Sequence, residues 1–382
     1  MDFLDHSLDD SHRAIRDSAR RFARQSIAPH VEEWEEAELF PCELYQAAAA
    51  AGVLAVGFPE EVGGGGGGML HMMMIIEGLL EGGSSGVVAG LGSLGIALPA
   101  IVQAGDRAQI DQFVRPTLLG ERIAALAVTE AGTGSDVAGI RTRARRDGGD
   151  YLIDGDKMFI TSGARADFVT VLARTGEEHG KHHNLSFFVV ERGMPGFSVS
   201  RSLRKTGWRA SDTAALSFEG VRVPAANRIG EEGGAFLTLM RNFATERLML
   251  AAFGHATARI ALADARSWAE ERHAFGKKLS AMPVIRHKLA SMATRVTAAT
   301  TLNYAVAGCI DAGESCVSEV AMAKNLSAET AVSVCYDAVQ ILGGMGYMRE
   351  TRVERLSRDA RLLPIGGGTT EIMNEIIIKM GT

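Results

Sequence analysis

One carboxylate stands where the surrounding pattern calls for an apolar side chain. In GGAFLTLMRNFATERLMLAAFGHATARIALADARSWAEERHAF, residues 233–275, the helical neighbours of Glu246 on its own face are Leu239, Phe243, Met249, Leu250 and Phe253. Thr257 and Ile260 extend the stripe. An ionised carboxylate is costly there unless it is paired, and desolvation raises its pKa above the usual value of about 4.3. A carboxylate tuned upward in this way is what a general base near neutral pH requires. The plainer alternative is a structural Glu paired to an Arg from another helix. Arg247, next in sequence, points about 100° away and is not assumed to be that partner.

Other candidate motifs carry less chemistry. Gly90-Leu-Gly-Ser-Leu-Gly95 fits GxGxxG, but its flanks do not read as a strand and an uninterrupted helix of a βαβ unit. The run Gly63 to Gly68 fits the same pattern trivially and reads as a flexible loop. His179, His182 and His183 lie between two strand-like runs, where a solvated hairpin tip is the plainer reading than a metal site. Met72 to Met74 reads as core filling. Cys42, Cys309, Cys316 and Cys335 are widely spaced with no CxxC pair, so they read as reduced thiols, and no metal is implied.

The elements that must position these residues change texture twice along the 382 residues. Residues 1–117 read as helices, with Ile15, Ala19, Phe22 and Ala23 at helical spacing and Leu44 to Ala51 following Pro41. Residues 118–226 carry short β-rich runs at Tyr151 to Ile153, Phe168 to Leu172, Leu185 to Val190 and Ala214 to Phe218, punctuated by glycine turns. Residues 227–382 turn helical again. Two to three domains fit the length at about 150 residues each. There is no regular βα alternation.

Composition narrows the function classes. Lys plus Arg is 40 against 46 for Asp plus Glu, a net charge of −6 that speaks against a nucleic-acid binder. No run of 18 apolar residues suggests a membrane span. The opening MDFLDHSLDD has neither a basic nor an apolar leader region, so the expectation is a bacterial cytoplasmic protein, a processed mitochondrial chain having the same look.

Six motifs in order resemble the acyl-CoA dehydrogenase family, flavoproteins that desaturate acyl thioesters. They are Ala127 to Asp136 (AVTEAGTGSD), Gly155 to Thr161 (GDKMFIT), Arg272 to Gly276 (RHAFG), Gln340 to Gly344 (QILGG), Val353 to Arg361 (VERLSRDAR) and Gly368 to Ile372 (GTTEI). The resemblance implies a mainly α protein with a central β-domain: an N-terminal helical domain, a β-barrel-like middle domain and a C-terminal four-helix bundle. It implies a homotetramer, a dimer of dimers, with FAD held partly across a subunit interface. It further implies an acyl-CoA substrate and an electron-transferring flavoprotein as acceptor.

Residue roles follow from the same resemblance. Val128, Thr129, Gly134 and Ser135 resemble the edge that hydrogen-bonds the flavin ring and phosphates, and Phe159 and Thr161 resemble the pair that covers the flavin. Arg272, Phe275, Gln340, Gly343 and Gly344 resemble residues that reach the neighbouring subunit's cofactor. Thr369 and Glu371 resemble further cofactor contacts, with helix capping as the plainer role. Ser135, Phe243, Arg247 and Gly368 are placed by analogy near the substrate, and Arg358, Asp359 and Arg361 read as a surface ion-pair cluster.

Departures from the family pattern matter more. Many members carry Tyr-Glu-Gly-Thr before the last helix, where that Glu takes the α-proton; here Gly367 stands in its place. The isovaleryl-CoA and long-chain acyl-CoA dehydrogenases place the base in a Glu-Arg-Leu segment of the long helix instead, and Glu246-Arg247-Leu248 matches it. The odd carboxylate found from periodicity and this relocated base are one residue. Gly367 retains its backbone N–H for the thioester oxygen, and its missing side chain leaves space that suits a branched or a medium to long acyl chain. Pro283 and Ala244 replace family residues that contact adenosine and pantetheine. A carrier-protein thioester as substrate, an acyl-CoA oxidase, a flavin monooxygenase and a catalytically silent paralogue stay open at this level.

Overall fold

Thirty-seven residues, Ala235–Glu271, form one helix that runs through the centre of the molecule. The computed structural model describes residues 3–176 and 184–381, so the His179–His183 cluster lies outside the described residues. The central helix is rich in alanine, and its small side chains let neighbours approach. Helix Val317–Leu342 comes so close that a Cβ on Gly254 would lie 2.7 Å from the Ser327 carbonyl oxygen. Helices Pro283–Asp311 and Thr370–Gly381 complete the C-terminal group, with the short helix Arg352–Ala360 between them. Before the sheet, helices Asp10–Phe22, Glu43–Ala50, Met69–Leu80 and Ser85–Leu91 make the N-terminal group. Among the described residues no single helix is long and apolar enough to cross a membrane.

The middle of the chain folds as one eight-stranded sheet. Its strands are β1 (Ala124–Ala127), β2 (Arg143–Asp147), β3 (Asp150–Thr161), β4 (Phe168–Arg174), β5 (Leu185–Glu191), β6 (Phe197–Ser202), β7 (Thr213–Pro224) and β8 (Arg228–Ile229). The order is β6-β7-β3-β2-β4-β5-β8, with β1 parallel to β4. Every residue of β4 is buried because both of its faces are covered. Phe168 and Leu172 join the helical core, whereas Val169, Val171 and Ala173 pack against the far side of the sheet with Phe188 and Leu216. That alternation is the period of two expected of a strand. The sheet is thus seated on the helices rather than beside them.

Two expectations are corrected. The Gly63–Gly68 run is not a flexible loop but a hydrogen-bonded one. Gly57 N donates to Gly66 O at 2.7 Å, Gly65 N to Ala55 O at 2.9 Å and Gly66 N to Phe58 O at 2.9 Å. A Cβ on Gly64 would stand 2.1 Å from the Phe58 carbonyl oxygen, so glycine serves close approach there. The second correction concerns Asp359, which is buried rather than part of a surface cluster. Its carboxylate accepts from Trp208 N at 2.6 Å and Ser85 N at 3.3 Å, tying the last third of the chain to both earlier parts. Burial, with Glu35 nearby, pushes its pKa up to about 6. Arg358 lies against Glu354, and Arg361 is exposed.

Candidate active site

Glu246, in the first third of the long helix, lines an apolar cavity. The cavity holds about 1120 Å³ of free space, part of it continuous with solvent. Its walls come from the long helix (Met249, Leu250, Phe253), from helix Met69–Leu80 (Met72, Ile75, Leu79) and from Leu91 to Ile96, and Thr161 at the end of β3 reaches it from the sheet side. The GxGxxG stretch therefore has a structural use that the sequence pattern did not suggest. It forms a helical corner, and its Gly92 and Gly95 line the cavity.

No basic side chain lies within ion-pair distance of Glu246 among the described residues, and its carboxylate makes no hydrogen bond there. The plainer reading, a structural Glu locked to an Arg, is not what the fold builds. Glu246 lines the cavity and is half-buried. Burial pushes its pKa up to about 7, against the opposing pull of Arg247 and Lys324.

The loop before the last helix meets Glu246 from the other side. A Cβ on Gly367 would fall 3.8 Å from Glu246 Oε1 and 2.4 Å from the Leu250 side chain. Gly367 and Gly368 both have positive φ, +65° and +103°, which glycine adopts without strain. Their carbonyls are held from outside: Arg247 Nε donates to Gly367 O at 3.0 Å, and Lys324 Nζ donates to Gly368 O at 2.6 Å. Phe243 lies under the Arg247 guanidinium, 5.5 Å from ring centre to cation. Thr369 caps the last helix, its Oγ1 accepting from Ile372 N, and Glu371 sits exposed in the first turn of that helix rather than before it.

On the sheet side, Val128 and Thr129 lie just past β1, which ends at Ala127. Lys157, fully buried, donates to Val128 O at 2.8 Å and to Glu130 Oε1 at 3.0 Å. Thr129 O accepts from Met158 N at 2.8 Å. Glu130 also takes hydrogen bonds from Arg141 N, Thr142 N and the Thr142 hydroxyl, which fixes the turn that follows. In that turn Gly134 and Ser135 are exposed, the Cβ positions of Gly132 and Gly134 face open space, and the buried Thr133 hydroxyl has no partner. Phe159 is 66% exposed and holds φ at +63°, an uncommon conformation for a bulky residue.

The remaining expected contacts lie apart from the cavity. Arg272 and Phe275 belong to the small hairpin of His273–Ala274 and Lys277–Lys278, with Phe275 95% exposed. Gln340, Gly343 and Gly344 are exposed at the C-terminal end of helix Val317–Leu342. None of these five lines the cavity within this chain. Sequence reasoning missed Lys324, although the same signal marks it: a charge amid Val317, Val320, Ala321, Ala328 and Ala331 on one helix face. It also missed Lys157, Glu130 and the cavity wall at Leu91 to Ile96. Cys309, Glu314 and Cys316 come together with ligand atoms within 4.8 Å of one another, a grouping their spacing did not announce.

Family profiles for the acyl-CoA dehydrogenase N-terminal, middle and C-terminal domains match residues 9–121, 125–221 and 234–381. The chain belongs to the acyl-CoA dehydrogenase family. It is 38% identical over 372 residues to the mitochondrial long-chain specific acyl-CoA dehydrogenase of Sus scrofa, covering 96% of this chain and 86% of that protein. The crystal structure of a probable acyl-CoA dehydrogenase from Mycobacterium abscessus matches with TM-score 0.96 and 50% identity, covering 98% of this chain and all of the other. A glutaryl-CoA dehydrogenase from Mycobacterium smegmatis, in complex with FADH2, matches with TM-score 0.92 and 27% identity, covering 99% and 96% of the two chains. Acyl-CoA dehydrogenases are FAD enzymes.

Proposed function

We propose that this chain desaturates a medium to long acyl-CoA between its α and β carbons, with Glu246 as the base that takes the α-proton. The observation that carries the reading is the unpaired Glu246 carboxylate in the wall of an apolar cavity, beside the position where a side chain on Gly367 would begin. A site has room for one carboxylate there, and the long helix supplies it.

The residues present fit FAD. Thr161 lines the cavity from the end of β3, Phe159 two residues before it exposes its ring from a positive-φ backbone, and the backbone of Val128 and Thr129 is pinned by Lys157 and Met158. Gly134 and Ser135 offer an open turn, with the unpartnered Thr133 hydroxyl beneath it. Bound there, FAD supplies the acceptor for the β-hydride. Arg272, Phe275, Gln340, Gly343 and Gly344 are left for a neighbouring subunit's cofactor in a homotetramer, and an electron-transferring flavoprotein takes the electrons onward.

The chain's own part is acid–base and positional. Glu246, ionised near its pKa, accepts the α-proton in a water-poor cavity. The peptide N–H of Gly367 serves the thioester oxygen, where negative charge grows as the proton leaves. Apolar walls hold the acyl chain and exclude water.

Two outcomes follow. Because Glu246 must be ionised, kcat/KM rises with pH up to about 7 and levels above it, measurable as a pH–rate profile on the free enzyme. The second concerns chain length. Gly95 lines the cavity, and no atom lies within 4 Å of where its Cβ would be, so a side chain there takes substrate space without disturbing the fold. Gly95→Leu lowers kcat/KM for palmitoyl-CoA by about 10- to 200-fold, the usual worth of a misfit methylene or two in a pocket, and leaves butanoyl-CoA nearly unchanged. A chain-length panel checks this.

A further inference from the structure

We infer that Lys324 is a positioning residue for the reaction, one half of a two-cation clamp whose other half is Arg247. The inference rests on the desaturation reading above and adds to it a group on a different helix. Two carbonyls in succession, those of Gly367 and Gly368, are each held by one buried or half-buried cation. A peptide plane carries its N–H opposite its carbonyl, so fixing these oxygens fixes the N–H groups of Gly368 and Thr369 and the course of the loop that ends beside Glu246. Both glycines are in the positive-φ region, where the loop has many alternatives and no side chains to choose among them. The clamp makes that choice.

The ammonium of Lys324 is costly where it stands. The residue is fully buried, and among the described residues its one hydrogen bond is to a neutral carbonyl, Gly368 O. A side chain needed only to tie down a carbonyl would not have to carry a charge. Three ionisable groups act on Lys324 of Val317–Leu342: Glu246 and Arg247 from the long helix and Glu371 from the last helix. Burial and Arg247 push the Lys324 amine down to about 8, with Glu246 and Glu371 opposing, so it stays mostly protonated at neutral pH. When the α-proton moves, Glu246 becomes neutral and the same negative charge appears on the substrate. Two fixed cations remain to face it, so Lys324 favours the ionised base before proton transfer and the anionic thioester during it.

Loss of the clamp need not unfold the last helix. Asn325 independently donates to Thr370 O at 3.2 Å and to Asn374 Oδ1 at 2.9 Å. The test compares wild type, Lys324→Met and Lys324→Arg as FAD-loaded enzymes, with three measurements. These are thermal melting, the pH profile of kcat/KM, and the pKa at which bound acetoacetyl-CoA forms its enolate, read by ultraviolet absorbance without turnover. Lys324→Met moves the acid limb of the profile and the enolate pKa upward by about half to one pH unit, and kcat falls about tenfold. Lys324→Arg restores both pH readings towards wild type. A Lys324→Met enzyme whose acid limb and enolate pKa match wild type overturns the inference, whatever its melting temperature. Should Lys324→Met not fold, Arg247→Gln carries the same readings, and unmoved values there overturn it equally. A wild type that binds and reduces with no acyl-CoA fails the desaturation reading first, and the inference falls with it.

Discussion

Glu246→Gln lowers turnover with acyl-CoA by about 10³-fold, the loss typical of removing a positioned general base. The substitution keeps the size and shape of the side chain, so Leu250, Arg247 and the Gly367 loop keep their neighbours. Its effect on stability has the opposite sign. In the folded protein the Glu246 carboxyl is held up to about 7, above its unfolded value of 4.5, so ionising it costs folding free energy as pH rises between those two values. The neutral amide of the variant carries no such cost. The variant therefore melts higher than wild type above pH 7 and much like it near pH 4, where both side chains are neutral. Steady-state assays and melting curves at the two pH values check the pair of outcomes together. A variant that is both inactive and less stable at pH 8 would instead point to a structural role for Glu246.

Glu77→Ala destabilises the fold by about 3–5 kcal/mol, the cost of breaking a buried ion pair from one side. Glu77 is fully buried in helix Met69–Leu80, and its two oxygens make hydrogen bonds with three residues on two other helices, with Arg16 of helix Asp10–Phe22 at ion-pair distance, 4.0 Å from Oε2. His255 Nε2 lies 2.9 Å from Oε1, Arg259 Nη1 donates to Oε2 at 2.7 Å, and Tyr304 OH donates to Oε1 at 2.5 Å. Asn303 extends the network, with Nδ2 contacts to Ala251 O, His255 Nδ1 and Ser327 Oγ. Burial alone would raise the Glu77 pKa, but Arg259, His255 and Tyr304 outweigh it and hold the carboxyl well below the usual range. Its stabilising contribution is thus present above the unfolded value and is lost as pH falls through the folded one. Removing the carboxylate leaves the Arg259 charge inside without its partner. Urea unfolding checks the size, and the loss shrinks in acid. Because Met72, Ile75 and Leu79 wall the cavity from the same helix, the variant also binds acyl-CoA less tightly.

What was legible in the sequence divides by the range of the signal. Glu246 was found from helical spacing alone, because a single charge against an apolar stripe is a local contradiction that any helix exposes. Lys324 carried the same contradiction and went unread. Strands β3, β4, β5 and β7 showed as apolar, branched runs, whereas β2 (RARRD) and β6 (FSVSRS) are largely exposed and polar, held by their neighbours rather than by their own pattern. The poly-glycine loop looked shapeless because its order lies in backbone hydrogen bonds, which side-chain pattern does not register. Asp359 looked like a surface charge because its partners, Ser85 N and Trp208 N, are 274 and 151 residues away. The cavity is of the same kind: its walls come from segments far apart in sequence, and no local pattern marks the space between them.

Glu246 as the base that takes the α-proton of an acyl thioester stands or falls on one measurement. Its most direct test is anaerobic mixing of FAD-loaded wild type and Glu246→Gln with a panel of straight and branched acyl-CoAs, following loss of the flavin absorbance in a single turnover. The expected result is bleaching of wild type by medium or long chains and none of the variant on the same timescale, with the ligand still bound. Equal bleaching of both would contradict it and return the search for the base to the glycine loop.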